Sequence, residues 1–315
     1  MTDASISSGR PAASARTDLK AAVYTCLALA LQTAPLCVHA QENTSYQYQE
    51  GLDNFAIIQQ QFERTGENTL VQDQEGAQNT ADGTQKQESG SEIQQQQDGA
   101  FNHAHGQQQY GSDNTIQNVQ AGSQNSATTL QSVTFGNRAA TRQGGFGNET
   151  TILQLNGNFN AVQIIQTGIA NRAEARQNNS FYSESFTAQL GNDNNAGVTQ
   201  QGVDHFSATA QTGAFNRALV NQTGALQEVE LLQDGLGNQV SLVQGEQYNQ
   251  ASSLQTGNFN QLVIQQRGVG GLGGSHQATV SQVGVFNATA ISQAGISSSA
   301  TVTQYGNGNS VSLSH

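Results

Sequence analysis

Gln200, Gln211, Gln222, Gln233, Gln244, Gln255 and Gln266 follow one another at a constant spacing of 11 residues. A fixed short period constrains the fold before any other signal is read. Two places after most of these glutamines stands a glycine: Gly202, Gly213, Gly224, Gly235 and Gly257. Three places further on there is usually an asparagine: Asn216, Asn238, Asn249 and Asn260. Towards the N-terminus the series continues through Gln189, Gln177, Gln166 and Gln154, with Gly191, Gly168, Asn194, Asn171, Asn160 and Asn148. It then runs through Gln143, Gln131, Gln120, Gln109 and Gln97, with spacings of 11 or 12. Towards the C-terminus it resumes after one insertion, at Gln282, Gln293 and Gln304, with Gly284, Gly295, Gly306, Asn287 and Asn309.

The residues between each asparagine and the next glutamine alternate. Asn216, Ala218, Val220 and Gln222 share one face of an extended chain, as do Asn260, Leu262, Ile264 and Gln266. The intervening positions are mixed, with Arg217, Leu219 and Asn221 in the first case. Period-two alternation over such a stretch predicts a strand. The glycines supply a permissive backbone for a tight reversal. Two units make a strand-turn-strand-turn coil of about 22 residues. Stacked coils give an all-β fold, a flat two-sheet parallel β-solenoid with thin rows of small apolar side chains inside. Identical residues then repeat at about 4.7–4.9 Å along the stack, as in cross-β assemblies. Buried amides must be paired or each costs ~1–3 kcal/mol. A ladder of identical Gln or Asn side chains meets that need, which explains why one residue type recurs at one position.

One coil cannot stand alone, because ordering each residue costs ~1–2 kcal/mol of backbone entropy. About four small apolar side chains return only ~1.5–3 kcal/mol each. The remainder comes from the coils above and below. The last unit follows the strand pattern from Asn309 through Val311 and Leu313, with His315 at the glutamine position. The reading therefore expects no C-terminal cap, and an open strand edge there that can template another chain.

Composition agrees with this reading. Hydrophobic residues are 35% and charged residues 11%, against a usual ~45–50% and ~25%. Weakly charged, Gln/Asn-rich sequence is prone to β-aggregation rather than to solvated disorder. The net charge of −12 argues against a nucleic-acid partner, which needs clustered Lys and Arg; Arg172, Arg176, Arg217 and Arg267 are expected on strand exteriors. Both cysteines, Cys26 and Cys37, and both prolines, Pro11 and Pro35, precede Ala40. Arg10, Arg16 and Lys20 followed by apolar Ala21 to Val38 read as a secretory signal over residues 1–40, cleaved between Ala40 and Gln41. Residues 41–100 read as degenerate Gln-rich repeats, and residues 101–315 as the regular solenoid, with a loop insertion at 268–275.

The pattern Q-x-G-x-x-N-x-A-x-V/L-x-Q resembles the curlin repeat of bacterial curli subunits; Gln166 to Gln177, Gln211 to Gln222 and Gln282 to Gln293 are clear instances. The resemblance implies a secreted structural subunit of an extracellular amyloid fibre, serving biofilm matrix, adhesion and cell aggregation. It implies a homopolymer with other curlin-type subunits, major or nucleator, as partners. Export through a dedicated outer-membrane channel with accessory factors follows from the same likeness. So does a role in seeding for the strand-end amides of the terminal repeats, which by position are Gln293, Gln304, Asn287 and Asn309.

Other candidate sites are weaker. Gly268 to Gly273 spells G-x-G-x-x-G, but no Asp or Glu follows Glu246, so the dinucleotide reading lacks its acidic partner. His103 and His105 share a strand face, but a zinc site needs three or four ligands. His205 and His276 occupy the asparagine position of their units. Asp98, Asp113, Asp193, Asp204 and Asp234 lie in or next to the reversals; they suit turns, and stacked like charges there would slow premature assembly. No catalytic arrangement and no cofactor motif is legible, so an enzyme is not expected. The alternative to a fibre subunit is a monomeric surface-binding β-solenoid, an adhesin or ice-binding rod, which would want a flat face of repeated residues such as Thr pairs.

Overall fold

The computed structural model describes residues 43–61, 66–269 and 273–315. The expected signal segment and its cleavage site at Ala40 and Gln41 lie outside the described residues. Two 12-stranded sheets, parallel throughout, make up the fold. Successive strands alternate between them, so the chain winds as a flat solenoid, and the looser units before residue 100 occupy the same two sheets. Among the described residues from 268 to 274 none is in a strand.

Strand Arg217–Ala225 shows why the sequence folds this way. Ala218, Val220 and Gln222 are buried, while Arg217, Leu219 and Asn221 point outward. The same alternation repeats in the strand two places on, with Val240, Leu242 and Gln244 inside. The interior is narrow, and single strands put small pairs into it, as with Ala139 and Thr141, Ala173 and Ala175, or Ala218 and Val220. Its apolar side chains fall into three clusters along the rod. One contains Leu70, Ile93 and Ile116; a second runs from Ala139 to Ala175; the third runs from Val198 to Val302.

The coil is not of one length. Ladder partners are 23 residues apart from Gln74 to Gln189, and 22 apart from Gln189 to Gln255. The longer coils carry ten-residue strands in the second sheet, Thr80–Ser89, His103–Ser112, Ser126–Phe135, Glu149–Asn158 and Arg172–Phe181. Their extra residue is a bulge held in left-handed backbone: Gln87, Tyr110, Val133, Asn156 and Asn179. These bulges stack on one another until strand Asn195–Val203, where the register shifts between Gln177 and Ser180. A bulge adds a residue without moving the flanking side chains off their faces only if its neighbours carry one too, which accounts for the unbroken run.

The sharp reversal does not sit at the repeat glycine. Gly168, Gly191, Gly202 and Gly213 lie inside strands. The chain turns at the residue before the asparagine position, which has φ between +50° and +62° in Phe101, Phe159, Tyr182, Asp193, Asp204, Phe215, Leu226 and Phe259. Left-handed backbone costs an ordinary side chain ~1–2 kcal/mol, and Asn visits it readily. Phe215 has φ of +56° and is 61% exposed, so Phe215→Asn is expected to stabilise the rod by ~1 kcal/mol. The denaturation midpoint checks this; a lowered midpoint would mean that the ring contributes more than its backbone strain costs.

Candidate functional site

The functional surface is built from side-chain amides. In the first sheet Gln49, Gln74, Gln97, Gln120, Gln143, Gln166, Gln189, Gln211, Gln233, Gln255, Gln282 and Gln304 form one column. In the second sheet the column is Gln60, Gln85, Gln108, Gln131, Gln154, Gln177, Gln200, Gln222, Gln244, Gln266 and Gln293. Each Nε2 donates to Oε1 of the next glutamine towards the C-terminus, as from Gln166 to Gln189 at 2.7 Å and from Gln200 to Gln222 at 3.0 Å. The second Nε2 hydrogen crosses to the opposite sheet, as from Gln166 to the Glu149 carbonyl at 3.0 Å. One side chain therefore ties its coil both along the stack and across it.

The asparagines form two edges of different quality. On one, Asn54, Asn79, Asn102, Asn125, Asn148, Asn171, Asn194, Asn216, Asn238, Asn260, Asn287 and Asn309 follow without a break. Asn171 N–H and Nδ2 both donate to Asn148 Oδ1 at 3.1 Å, and Nδ2 also donates to the Gly191 carbonyl at 2.7 Å. The opposite, mixed edge holds Asn43, Asn68, Asn114, Asn137, Asn160 and Asn249, but Ser91, Ser183, His205, Gln227 and His276 replace asparagine on it. Asn160 and Asn249 thus belong to a different column from Asn148, Asn171, Asn194, Asn216, Asn238, Asn260, Asn287 and Asn309.

The glycines serve close stacking. A Cβ on Gly168 would lie 1.9 Å from the Gly191 oxygen, and one on Gly202 1.9 Å from the Gly224 oxygen. Their φ of +127° and +130° is barred to other residues as well. Gly213, Gly224, Gly235, Gly257 and Gly284 are confined in the same way. Gly306 and Gly295 keep the positive φ, at +96° and +114°, but no backbone atom crowds them.

Several residues differ from their sequence assignment or escaped it. The ladder member in strand His103–Ser112 is Gln108, not Gln109, which points outward and donates to Ser132 Oγ. Gln72 and Gln95 add a short second row inside, 2.8 Å apart. The aspartates do not stack on one another, but Asp98 continues a row of like charge through Glu75 and Glu50, whereas Asp234 lies between Thr212 and Thr256. Asp113, Asp193 and Asp204 hold left-handed corner positions, which a short polar side chain tolerates. His105 Nδ1 lies 3.2 Å from Asp82 Oδ2 on the outer face. His103 lies on the outer face, and partial desolvation there holds it below its ordinary value, aided by the charge of His105 and opposed by Asp82. No group of three His, Cys, Asp or Glu able to hold a metal occurs among the described residues. Arg172 pairs with Glu149 at 2.7 Å on the exterior.

Two buried ionisable groups have opposite effects. Glu88, in the mixed edge, accepts from Ser91 Oγ and Asn114 Nδ2; burial pushes its carboxyl up from about 4.5. Its contribution to stability is full below that value and is lost as pH rises through the folded one. His205 is 1% exposed, its Nε2 faces the Gln201 carbonyl at 3.0 Å and its Nδ1 has no partner. Burial lowers its pKa from 6.5, with the neighbouring Asp204 opposing. Stability from the neutral ring is full above 6.5 and is lost as pH falls through the folded value. His205→Asn is therefore expected to stabilise the chain more at pH ~5 than at pH ~8. Equal gains at both pH values would contradict this assignment.

Parallel coils bound by two glutamine columns, with an unbroken asparagine edge, define an amide-laddered β-solenoid whose end strands each have one edge unpaired among the described residues. Residues 276–306 match the family model described as curlin associated repeat, and the match supports membership of the curlin-repeat family. No curated protein matches the chain.

Proposed function

We propose that this chain is the secreted structural subunit of a curli-like extracellular amyloid fibre, growing by templated strand stacking. The observation that carries this reading is the complementarity of the two rod ends. At the C-terminal end, Gln304 Nε2 donates to the Ala288 carbonyl and keeps a hydrogen free. At the N-terminal end, Gln49 donates to Gln74, and none of the described residues donates to its Oε1. The asparagine edge has the reverse polarity: among the described residues nothing donates to Asn309 Oδ1, and none accepts from the Asn54 backbone N–H. Donor meets acceptor in the first-sheet glutamine column and along the asparagine edge when the start of one chain stacks on the end of another; in the second sheet His315 stands at the glutamine position that would meet Gln60. The same step would cover Val311 and Leu313, which are only partly buried. A head-to-tail contact of this kind does not close, so it yields a filament.

Roles in biofilm matrix, adhesion and cell aggregation, and export through an outer-membrane channel with accessory factors, belong to the same proposal. So does a cleaved signal over residues 1–40, and a nucleator or major-subunit partner. The role is structural, not catalytic. The test is assembly of residues Gln41–His315 with and without preformed fibre fragments. A lag that fragments abolish, ending in fibres with reflections at ~4.7–4.8 and ~10 Å, is expected. Soluble β-rich monomer that fragments do not recruit would instead favour a monomeric surface-binding rod.

A further inference from the structure

The amide columns are continuous, but the rod is not uniform along its axis. Around residues 177–228 four features change together. First, the coil shortens, and the register shift between Gln177 and Ser180 leaves Asn178 Oδ1 buried without a partner. Second, the inner face of the first sheet loses its apolar side chains. Strands Glu184–Asn192 and Phe206–Ala214 bury Ser185, Thr187, Ser207 and Thr209 where the strands on either side bury Val162 and Ile164, or Val229 and Leu231. Third, Ser185 Oγ, Ser207 Oγ and Thr209 Oγ1 are buried with no hydrogen-bond partner. Fourth, the mixed edge runs Ser183, His205, Gln227 in place of asparagine, and His205 Nδ1 and Gln227 Oε1 are also unpartnered.

The opposite side of the same coils is intact. Asn171, Asn194, Asn216 and Asn238 remain linked on the asparagine edge. Gln166, Gln189, Gln211 and Gln233 remain linked inside. The other break between apolar clusters, from Ile116 to Ala139, differs. There Asn118 Nδ2, Thr134 Oγ1, Thr141 Oγ1 and Thr150 Oγ1 are also unpartnered, but Thr129 Oγ1 donates to Asn118 Oδ1, Asn114 is followed by Asn137 on the mixed edge, and the 23-residue step continues.

We propose that the rod consists of two cooperatively folding segments, and that this polar seam is the joint between them. The joint opens along the mixed edge at Ser183, His205 and Gln227 and pivots on the asparagine edge. In a stack where each coil is held only by its neighbours, stability is a sum of interface contributions, so the weakest interface divides the cooperative unit. Buried polar atoms without partners, together with a lost apolar layer, make this interface the weakest. The inference concerns the single rod and does not depend on fibre formation.

Hydrogen exchange on unassembled Gln41–His315 tests it. Backbone amides of residues 185–189 and 207–211 are expected to exchange roughly tenfold or more faster than those of 162–166 and 240–244. The triple variant Ser183→Asn, His205→Asn, Gln227→Asn should slow the seam towards the flanking rate and leave the flanks unchanged. Should the triple variant fail to fold, Thr209→Val, which removes one unpaired hydroxyl at constant shape, should slow the seam in the same direction. Seam amides as protected as the flanks would overturn the proposal. So would a fast seam that neither variant slows, since the residues assigned to the joint would not then cause it.

Discussion

Replacing Gln222 by leucine is expected to destabilise the rod by ~2–5 kcal/mol. Gln222 is fully buried and holds three bonds: from Gln200 Nε2 at 3.0 Å, to Gln244 Oε1 at 3.1 Å and to the Phe206 carbonyl at 2.9 Å. Leucine fills the space but strands one donor and two acceptors, each costing ~1–3 kcal/mol. Burying the leucine side chain returns only ~1.5–3 kcal/mol, so the polar loss wins. Gln239→Leu is the control, because Gln239 is exposed on the outer face of the next strand in that sheet; surface changes of this kind stay within about 0.5 kcal/mol. Denaturant midpoints of the two variants, compared with the parent, read the difference. Equal midpoints would mean that the columns are ornamental to stability.

Gly191→Ala is expected to be worse still. Gly191 has φ of +120°, a conformation that costs another residue ~1–3 kcal/mol. Its new Cβ would also lie 1.9 Å from the Gly213 oxygen. That oxygen is backbone in a paired strand, so relief requires parting two coils and breaking their ladder. Loss of soluble folded chain, or a midpoint lowered by more than ~3 kcal/mol equivalent, is the expected result. Gly144→Ala, where a Cβ meets nothing within 4 Å, should leave the midpoint unchanged. Similar effects at both positions would show that glycine is needed here for chain flexibility and not for close stacking.

These contrasts also show what was legible in the sequence and what was not. The period exposed the solenoid, because each coil repeats the demands of the one below it. Buried amides were legible for the same reason: a polar residue at a core-facing position survives only if its neighbours match, so Gln and Asn recur. Gln108 was misplaced by one residue because Gln107, Gln108 and Gln109 are chemically identical and Gln109 keeps the 11-residue spacing to Gln120, whereas the alternation from Asn102 through Ala104 and Gly106 leads to Gln108. The division of the asparagines into two edges needed the winding of the chain, which spacing alone does not give. The corners were read from glycine, yet the strained residues there include Phe215, Phe259 and Leu226. Stacking fixes the backbone at these places, so side-chain preference has little say and leaves no signal. The polar seam was hidden because Ser185 and Thr209 fit the strand pattern as well as valine does; only the orphaned hydroxyls distinguish them.

The most direct test of the account concerns the junction between chains. Fibres grown from a mixture of two differently labelled batches, one in the Gln304 side chain and one in the Gln49 side chain, would be measured by solid-state NMR. The account predicts close contact between Gln304 and Gln49 of different chains, at about the 4.7–4.9 Å step of the stack, with one polarity along the fibre. Contacts of Gln304 with Gln304 or of Gln49 with Gln49, or fibres lacking any contact between these positions, would contradict it.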